Sequence, residues 1–451
     1  MENVNILRDY GLFDAKVPRY TSYPPANRFL PNVGARFQHD WLSQTAPEKP
    51  VSLYVHIPFC RRLCWFCACR TQGTQTLHPV DGYLVDLIRE IEAVARLLPK
   101  AVPMGRLHLG GGTPTLLSVA QMTRLLDAIE THFAKSDDYE FSVEIDPTEA
   151  APELLDFLET RGMNRASIGV QDFDLKVQEA IGRLQSFEET RRVVDHLRGG
   201  GVGSLNIDLL YGLPFQTADT LVKTLEQVSV VQPERIALYG YAHVPHMSKR
   251  QVMIPEDELP DPLERFEAAQ IAKEHLVELG YMPLGIDHFV VETDSLAIAA
   301  RDGKMRRNFQ GYTDDPCETL IGFGASAISK YPKGYIQNAV ATAAYQQRVR
   351  DHGLAGHKGY VIDEEDLLVA DVIDQVMCRG KLDEMSLLKD HAQFAAKIPC
   401  LVQELVTVFP NALHRNGSQI MLQPGMEALA RVIAAHFDQA LHEDHIHSAA
   451  I

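Results

Sequence analysis

Six short runs of β-branched and apolar residues alternate with longer amphipathic stretches between residues 52 and 241. The runs are SLYVHI (52–57), RLHLGGG (106–112), FSVEID (141–146), RASIGV (165–170), SLNIDLLYG (204–212) and RIALYGY (235–241). Stretches between them repeat apolar residues at three- and four-residue spacing, which is typical of helices that pack on a sheet. Strict alternation of strand and helix predicts a parallel sheet with right-handed crossovers. We therefore predict an α/β fold, a partial (β/α)6 barrel with its chemistry at the carboxyl ends of the strands.

The remaining sequence is arranged around this barrel, which we expect to span residues 51–285. Residues 1–50 show little periodicity and are expected to form an arm that caps the barrel. Residues 286–360 are expected to supply substrate-side loops and a sheet extension. Residues 361–451 are expected to form a small, mostly helical carboxyl-terminal domain whose His-rich end, 441–451, is solvated.

Charge and hydropathy exclude several classes of protein. The formal net charge of −17 argues against nucleic acid as a partner, because phosphate binding needs a surplus of Lys and Arg. No uncharged apolar run reaches the roughly 18 residues of a membrane helix, and the amino terminus lacks a secretory apolar core. We expect a cytoplasmic monomer that binds neither nucleic acid nor membrane.

The strongest chemical signal is the segment HIPFCRRLCWFCAC (56–69), which directly follows the first predicted strand. Cys60, Cys64 and Cys67 have the spacing C-x3-C-x2-C, which on a tight loop can bring three thiolates onto three irons of one cluster. The fourth iron would then be open to a chelating small molecule. Zinc is the alternative, although structural zinc sites usually use two separated pairs of cysteines.

Polar residues and glycines also stand at the ends of later strands. GGGTP (110–114) closes the second strand, where glycines allow the backbone to approach a ligand closely. Glu144, Gln171 and Asp208 end further strands, and a buried carboxylate requires a ligand, a cation or a hydrogen-bond network. An internal salt bridge is the alternative, and Arg183 is a candidate partner.

The cysteine triplet after a first strand, followed by GGGTP, resembles the radical S-adenosylmethionine (SAM) superfamily. The resemblance implies that Cys60, Cys64 and Cys67 hold a [4Fe-4S] cluster. It also implies that SAM binds the unique iron and is cleaved reductively to a 5′-deoxyadenosyl radical. Phe66 or Trp65 stands where that superfamily places an aromatic ring near the adenine, and loop packing is the alternative role for each.

Motifs along nearly the whole chain resemble the family of oxygen-independent coproporphyrinogen III oxidases. They are PRYTSYP (18–24), YVHIPFC (54–60), GGGTPT (110–115), GVQDF (169–173), DLLYGLP (208–214), YAHVP (241–245), RNFQGYT (307–313) and GFGASAIS (322–329). The resemblance implies oxidative decarboxylation of two propionates of coproporphyrinogen III to vinyl groups, giving protoporphyrinogen IX in anaerobic haem biosynthesis. It leaves the electron donor and acceptor unidentified, and it implies that Cys69 is not a cluster ligand.

The same resemblance implies two SAM molecules and a set of contacts for each. One SAM would meet Tyr54, Gly111, Glu144 and Ile328. The other would meet Phe66, Gly112, Thr113, Gln171, Arg183, Asp208 and Ala242. The porphyrinogen carries four carboxylates and requires cations, so we expect Arg19, Arg307 and Gln310 to contact it, with Arg306 as a further candidate.

Two other functions remain open from the sequence. A radical-SAM-like haem chaperone would carry the cysteine triplet, but that group typically has Phe at the position of Cys69 and lacks the PRYTSYP arm. A haem-opening radical SAM methyltransferase is the second alternative. The products distinguish the three, because they are carbon dioxide with protoporphyrinogen, unchanged bound haem and a linear tetrapyrrole, respectively.

Overall fold

The computed structural model describes residues 2–100 and 102–438, so the His-rich end lies outside the described residues. The arm contains helices α1 (Glu2–Asp9) and α2 (Ala35–Ser43), which sequence periodicity did not reveal because each spans fewer than three turns. The barrel strands are β1 (Val51–Ile57), β4 (Met104–Gly111), β5 (Lys135–Ile145), β6 (Arg165–Gln171), β7 (Ser204–Tyr211) and β8 (Arg235–Gly240), while β2 (Phe59–Cys60) and β3 (Gln72–Gly73) form a separate two-stranded sheet. The barrel helices are α3 (His78–Leu97), α4 (Val119–His132), α5 (Pro152–Thr160), α6 (Leu175–Ile181), α7 (Phe187–Gly199) and α8 (Ala218–Val230).

The second half of the chain extends the sheet and then forms the carboxyl-terminal region. The extension elements are α9 (Pro262–Glu278), β9 (Met282–Leu284), β10 (His288–Val290), α10 (Ser295–Arg301), β11 (Arg306–Asn308), β12 (Gly311–Thr313), β13 (Thr319–Phe323), β14 (Ile328–Tyr331), β15 (Gly334–Asn338), α11 (Thr342–His352) and β16 (Gly356–Val361). The carboxyl-terminal elements are α12 (Glu364–Arg379), β17 (Lys381–Asp383), α13 (Glu384–Asp390), α14 (Ile398–Val408), β18 (Leu413–Asn416), β19 (Gln419–Leu422) and α15 (Ala430–His436). In the described part of the chain, no helix combines the length and apolar character that a membrane crossing needs.

The main sheet has 12 strands in the order β16-β15-β14-β13-β1-β4-β5-β6-β7-β8-β10-β9. The six predicted strands are all present, as β1 and β4 to β8, and neighbouring strands pair in parallel. A seventh strand, β13, pairs in parallel with β1, although the sequence IGFGASAIS (321–329), which overlaps this strand, predicts a Gly-rich turn. The α/β class and the parallel barrel are therefore confirmed, and the parallel part is one strand wider than the sequence indicated.

Successive residues along the parallel strands point to opposite faces of the sheet, and the two faces differ in polarity. Leu53, Val55, Leu107 and Leu109 belong to one buried hydrophobic core with residues of the surrounding helices. The opposite face carries polar side chains that line the interior: Tyr54, His56, His108, Ser142, Glu144, Ser167, Asn206, Asp208 and Tyr239. Each strand thus packs its apolar face outward and leaves a polar interior.

Ion pairs close this interior toward the amino ends of the strands. Glu140 lies 3.3 Å from Arg165 and 3.8 Å from Arg106. Arg235, the first residue of β8, lies 2.6 Å from Asp294, and both side chains are buried. Because removal of one partner would leave a buried charge without compensation, these pairs fix the floor of the chamber.

Several barrel helices begin at residues whose side chains cap the helix. Ser118 and Gln121 form reciprocal hydrogen bonds at the start of α4, and Ser186 and Glu189 do so at the start of α7. Such capping boxes satisfy backbone N–H groups that have no partner within the helix. The strand-to-helix connections are therefore specified locally, by side chains within four residues of each helix start.

A second hydrophobic core joins the arm to the carboxyl-terminal region. Leu7 and Leu12 of the arm are fully buried there, together with Ile373 of α12 and Ile433 of α15. Arg431 of α15 donates hydrogen bonds to the carbonyl oxygens of residues 17 and 18 at 2.6 and 3.3 Å. This core holds the arm against the carboxyl-terminal region.

Glu90 of α3 is a fully buried carboxylate that holds the turn between β13 and β14. It accepts hydrogen bonds of 2.8 Å from the Gly324 backbone N–H, the Asn338 side-chain amide and the Tyr345 hydroxyl. Burial raises the pKa of Glu90 from 4.5 to about 7, despite these three hydrogen bonds. The turn that Glu90 holds leads directly to Ser326, Ala327 and Ile328, which line the chamber.

We predict that Glu90→Gln changes how the stability of the protein depends on pH. Below about pH 4.5 the Glu90 carboxyl is protonated in both the folded and the unfolded state. The raised pKa therefore makes its full contribution to the stability of the folded state there. That contribution is lost as the pH rises through about 7, which corresponds to about 3 kcal/mol of unfolding free energy. Urea titrations between pH 5 and 8 should show the wild type losing stability relative to Glu90→Gln.

The matched control is Glu92→Gln on the same helix, because the Glu92 side chain is 45% exposed and pairs only loosely with Arg96. Its stability difference from the wild type should stay constant over the same pH range. Parallel curves for the wild type and Glu90→Gln would contradict the assignment of this titration to Glu90.

Candidate functional site

A cavity of about 770 Å³ lies inside the open sheet beneath the cysteine loop and the arm. Its walls include side chains from β1, β4, β5, β6, β7 and β8, the loop at 66–70, the β11–β12 hairpin and the turn at 326–328. The loop, the hairpin and the turn lie toward the carboxyl ends of the parallel strands, whereas the floor of the cavity lies toward their amino ends. The position agrees with the prediction that the chemistry lies at that end of the barrel.

The cysteine loop is anchored on both sides by bonds to its backbone. The Trp65 N–H donates to the carbonyl of Ile181 at 2.9 Å. From the other side, Ser248 donates to the carbonyl of Cys67 at 2.9 Å, and Gln251 donates to that of Phe66 at 2.7 Å. Because these bonds satisfy main-chain groups of the loop, they fix its path without using the thiols.

The spacing of the three thiols bears on the choice between a cluster and a single zinc ion. Thiolates around one zinc ion would lie about 3.8 Å apart, since Zn–S bonds are about 2.3 Å long in tetrahedral sites. Among the described residues, the sulfurs of Cys60, Cys64 and Cys67 do not all lie within 4.8 Å of one another, whereas Asp156, Glu159 and His196 have ligand atoms that do. Thiols that do not converge on one point fit a polynuclear cluster, in which each binds a different iron.

The thiols also differ in their electrostatic surroundings. Burial raises the pKa of the Cys60 thiol to about 11. A hydrogen bond from Cys69 lowers the pKa of the Cys67 thiol. Cys69 therefore acts on its neighbour as a hydrogen-bond donor and also lines the cavity, which is compatible with its expected role outside the ligand set.

The glycines that close β4 are required by close packing against the cysteine loop. A Cβ at Gly112 would lie 2.6 Å from the Phe59 carbonyl oxygen and 2.9 Å from the Cys60 sulfur. Gly111 has φ +113°, and a Cβ there would lie 2.6 Å from the His56 ring. Any larger residue would push the loop and the strand end apart, so glycine is needed at both positions.

Glu144 lies between β4 and the chamber, and its carboxylate remains ionised. It accepts a 2.9 Å hydrogen bond from the Gly111 N–H and a 3.3 Å bond from His108 Nε2. Burial raises the pKa of Glu144, but the His108 and Gly111 hydrogen bonds and nearby histidine charge outweigh burial and hold it below its ordinary value. The His108 ring also stacks on Tyr54, with 5.8 Å between centroids. The site therefore presents an ionised carboxylate suited to an ammonium group.

Asp208, the second carboxylate of the chamber, is in a different state. It accepts 2.8 Å hydrogen bonds from Ser167 and Asn206. Burial nevertheless raises the pKa of Asp208 above its ordinary value. Its partners are neutral, so the structure shows a hydrogen-bond network here instead of the internal salt bridge considered from the sequence.

Arg183 links the cysteine loop to the strand ends. Its Nη1 lies 3.1 Å from Asp146 and donates to the Cys64 sulfur at 3.5 Å, while its Nη2 donates to the Gly169 carbonyl at 2.7 Å. Its Nε is buried, and no hydrogen-bond partner for it is found in residues 2–100 and 102–438. The carboxylate partner is therefore Asp146, which sequence reasoning did not single out.

Arginines of the arm and the β11–β12 hairpin form the opposite wall. Arg307 donates to the carbonyls of Arg19 and Tyr20 at 3.1 and 3.4 Å, and its guanidinium lies 4.1 Å above the Tyr312 ring. Its Nη1 is buried and has no hydrogen-bond partner in the described part of the chain. Arg19 donates to the Gly240 carbonyl at 2.6 Å. Both cations face the chamber through contacts with main-chain oxygens.

The structure brings most of the predicted contact residues together around one cavity. Those lining it are Arg19, Tyr54, Phe66, Cys67, Gly111, Glu144, Asp208, Ala242, Arg307, Gln310 and Ile328. Gly112, Thr113, Gln171, Arg183, Cys60 and Cys64 are not among the lining residues, and several of them pack around the cysteine loop. Arg306 is exposed and lines a different pocket.

The placement of two cysteines differs from the interpretation of the sequence, whereas that of Trp65 agrees with one of its two expected roles. Cys317, Cys378 and Cys400 have no metal spacing in the sequence, which predicts buried thiols, but Cys400 is exposed on α14 and Cys317 is partly exposed. Trp65 packs against Gly182, whose Cβ would lie 2.9 Å from the indole, so its role in the structure is loop packing.

Sequence reasoning missed several polar residues of the chamber. His56 and His108 occupy the same polar face as Tyr54 and Glu144, and the two-residue alternation within each strand would have identified them. Asp287 and His288 lie at the start of the three-residue strand β10, which is too short to give a periodic signal.

Comparisons with known proteins agree with this geometry. The family model of the radical SAM superfamily matches residues 54–228. An oxygen-independent coproporphyrinogen III oxidase of Cereibacter sphaeroides is 48% identical over 439 residues, covering 97% of each chain. Another from Paracoccus denitrificans is 45% identical over 451 residues, covering 100% of each. The solved coproporphyrinogen III oxidase of Escherichia coli, described as a radical SAM enzyme, superimposes with a TM-score of 0.89 at 35% identity, covering 95% of this chain and 100% of that one.

We predict that Cys64→Ser prevents stable cluster assembly while the fold is retained. Loss of a direct ligand should lower SAM cleavage by at least about 100-fold, more than the loss of an outer hydrogen-bond partner usually costs. Iron and sulfide content after anaerobic reconstitution and 5′-deoxyadenosine release after reduction measure the two effects. Cys400→Ser is the matched control, since this thiol is exposed and remote from the loop. Undiminished 5′-deoxyadenosine from Cys64→Ser would refute the ligand assignment.

Proposed function

Because the chain belongs to the family of oxygen-independent coproporphyrinogen III oxidases in the radical SAM superfamily, we infer that it is an oxidoreductase of porphyrin synthesis. It oxidatively decarboxylates two propionate side chains of coproporphyrinogen III to vinyl groups and gives protoporphyrinogen IX. The observation that carries this conclusion is the relationship to such oxidases along almost the entire chain. The same observation disfavours the haem chaperone and the haem-opening methyltransferase.

The residues of the cysteine loop fit the cofactors of this family. We propose that Cys60, Cys64 and Cys67 hold a [4Fe-4S] cluster. When bound, the cluster and SAM supply a carbon-centred radical able to abstract hydrogen from an unactivated propionate C–H bond. Arg183, which donates to the Cys64 sulfur, would orient that thiolate and offset its negative charge.

The two sets of SAM contacts remain part of the proposal. Tyr54, Gly111, Glu144 and Ile328 would surround one molecule, and Glu144 is suited to its ammonium group because the carboxyl is ionised. The second molecule would lie among Phe66, Gly112, Thr113, Gln171, Arg183, Asp208 and Ala242. Phe66 and Ala242 are joined through Gln251, whose side-chain amide donates to both carbonyls at 2.7 and 3.1 Å.

The arginine wall is the proposed site for the carboxylates of the substrate. Arg307 has a buried nitrogen without a partner among the described residues, and this donor would be satisfied by a propionate oxygen. Arg19 lies beside it through the arm, and Gln310 lines the same wall. The arrangement would orient the substrate through the propionates that do not react. A reacting propionate would then face the cysteine loop.

The remaining expectations are also proposals. We propose a cytoplasmic enzyme that acts as a monomer, without nucleic acid or membrane, and exchanges electrons with a donor and an acceptor still to be identified. The proposed division of the chain is an arm (1–50), a barrel (51–285), substrate-side loops with a sheet extension (286–360) and a carboxyl-terminal domain (361–451).

The reaction itself gives a direct prediction. Protein reconstituted anaerobically with iron and sulfide should release two molecules of carbon dioxide per coproporphyrinogen III, with SAM, a reductant and an electron acceptor present. Labelled carboxyl carbon measures the first product, and chromatography after oxidation to protoporphyrin measures the second. SAM cleavage without carbon dioxide release would argue against this substrate, and recovery of bound, unchanged haem as the sole activity would favour the chaperone.

We predict that Arg19→Ala impairs porphyrinogen turnover more than SAM cleavage in the absence of substrate. Loss of a charge-assisted hydrogen bond to a propionate should raise the KM for coproporphyrinogen about tenfold. Arg8→Ala is the control, because Arg8 belongs to the same arm but is exposed on α1. Equal losses of turnover and of SAM cleavage in Arg19→Ala would count against a propionate contact.

A further inference from the structure

Asp287 and His288 form a buried pair on the wall of the chamber, at the start of β10. The Asp287 Oδ1 and His288 Nδ1 atoms are 2.7 Å apart, and the two residues are only 8% and 5% exposed. Because a carboxylate accepts and does not donate, Nδ1 carries the proton of this hydrogen bond. When Nδ1 holds the single proton of the imidazole ring, Nε2 is a hydrogen-bond acceptor.

The charges around Asp287 keep this arrangement in place. Burial raises the pKa of Asp287, but the hydrogen bond from His288 and the positive charges of Arg307 and Arg19 help to hold the pKa below its ordinary value. Asp287 is therefore ionised, and one proton of the imidazole is committed to it.

The imidazole ring is fixed in orientation by aromatic neighbours. Its centroid lies 5.8 Å from that of Tyr239 and 5.2 Å from that of Tyr312, both in edge-to-face contacts. Gly311 allows the β12 backbone to approach the ring, since a Cβ there would lie 3.2 Å from His288 Cε1 and 3.5 Å from Nε2. Such contacts hold the ring edge toward the chamber.

The Nε2 atom itself is not satisfied by the protein. No hydrogen-bond partner for it is found in residues 2–100 and 102–438, although the ring is almost completely buried. His288 lines the chamber together with Arg307 and Tyr239. A buried ring that lines a cavity and has one nitrogen without a partner among the described residues can receive a ligand with a matching donor.

We propose that His288 Nε2 accepts a hydrogen bond from a pyrrole N–H of the bound porphyrinogen. The inference rests on the proposed function and goes beyond it, because it assigns recognition of the macrocycle in addition to that of its propionates. Carboxylates of the substrate are acceptors and match Arg19 and Arg307, whereas its pyrrole N–H groups are donors and match an imidazole nitrogen that accepts.

This contact would also select the oxidation state of the tetrapyrrole. All four nitrogens of a porphyrinogen carry hydrogen, whereas two nitrogens of a free-base porphyrin do not. An acceptor fixed by Asp287 would find a donor on every ring of the reduced macrocycle. A site that hydrogen-bonds a substrate N–H rejects analogues that lack it, because the buried partner is then left unpaired.

The test compares His288→Phe and His288→Gln in the reconstituted holoenzyme. Phenylalanine keeps the aromatic contacts but removes the acceptor, whereas the glutamine side-chain oxygen can replace it. We expect His288→Phe to weaken coproporphyrinogen binding by at least about fivefold and His288→Gln to recover part of the loss. Anaerobic equilibrium dialysis, with the bound ligand quantified after oxidation to the fluorescent porphyrin, measures the dissociation constants.

A second ligand distinguishes the macrocycle from its side chains. Coproporphyrinogen tetramethyl ester keeps the pyrrole N–H groups and lacks carboxylates, so His288→Phe should weaken binding of the acid and the ester equally. Arg307→Gln should weaken binding of the acid alone. His196→Phe is the matched control, because His196 is also 2.7 Å from an aspartate oxygen, that of Asp156, but lies on an outer helix.

Three results would overturn the inference. They are unchanged affinity in His288→Phe, an effect on the acid but not on the ester, and weaker binding of SAM instead of porphyrinogen. If His288→Phe does not fold, His288→Gln with wild-type selectivity between porphyrinogen and porphyrin supports the inference, and lost selectivity contradicts it. Failure of the proposed function is recognised separately, since the wild type would then release no carbon dioxide from coproporphyrinogen III.

Discussion

The alternation of side chains across the parallel strands is the constraint on which the rest of the structure depends. Each strand has one face for the helices and one for the interior, so apolar and polar residues must follow each other with a period of two. In closed parallel barrels the interior is filled with branched apolar side chains. Here the interior face carries Tyr54, His108, Glu144 and Asp208, and a chamber takes the place of a packed core.

A polar interior must satisfy its groups from within, and the chain does so in layers. Near the amino ends of the strands, ion pairs such as Arg235–Asp294 form the floor. Above them, neutral donors surround Asp208, and His108 with the Gly111 N–H holds Glu144 ionised. The layers therefore differ in charge, and only the upper ones leave carboxylates available to a ligand.

The sequence predicted those features that depend on local pattern. Strand-helix alternation identified all six barrel strands, and C-x3-C-x2-C identified the cysteine loop, because both are encoded within a few consecutive residues. Contacts between distant segments could not be predicted in this way. The pairing of Arg183 with Asp146 spans 37 positions and depends on how two loops pack. Strand β13 escaped detection because its five residues include a glycine and adjoin a Gly-rich turn.

The net charge of −17 does not conflict with the arginine wall, because a protein with a surplus of acidic residues can still place its cations together at one site. Arg19 and Arg307 donate to main-chain carbonyls, which hold a guanidinium in place without neutralising it. A carboxylate partner would fix the same side chains but would compete with an anionic ligand. Asp287 is the acid that faces both cations, and its Oδ1 is engaged by His288. The Asp287 Oδ1 atom is thus directed toward the imidazole, which leaves the wall receptive to the carboxylates of a substrate.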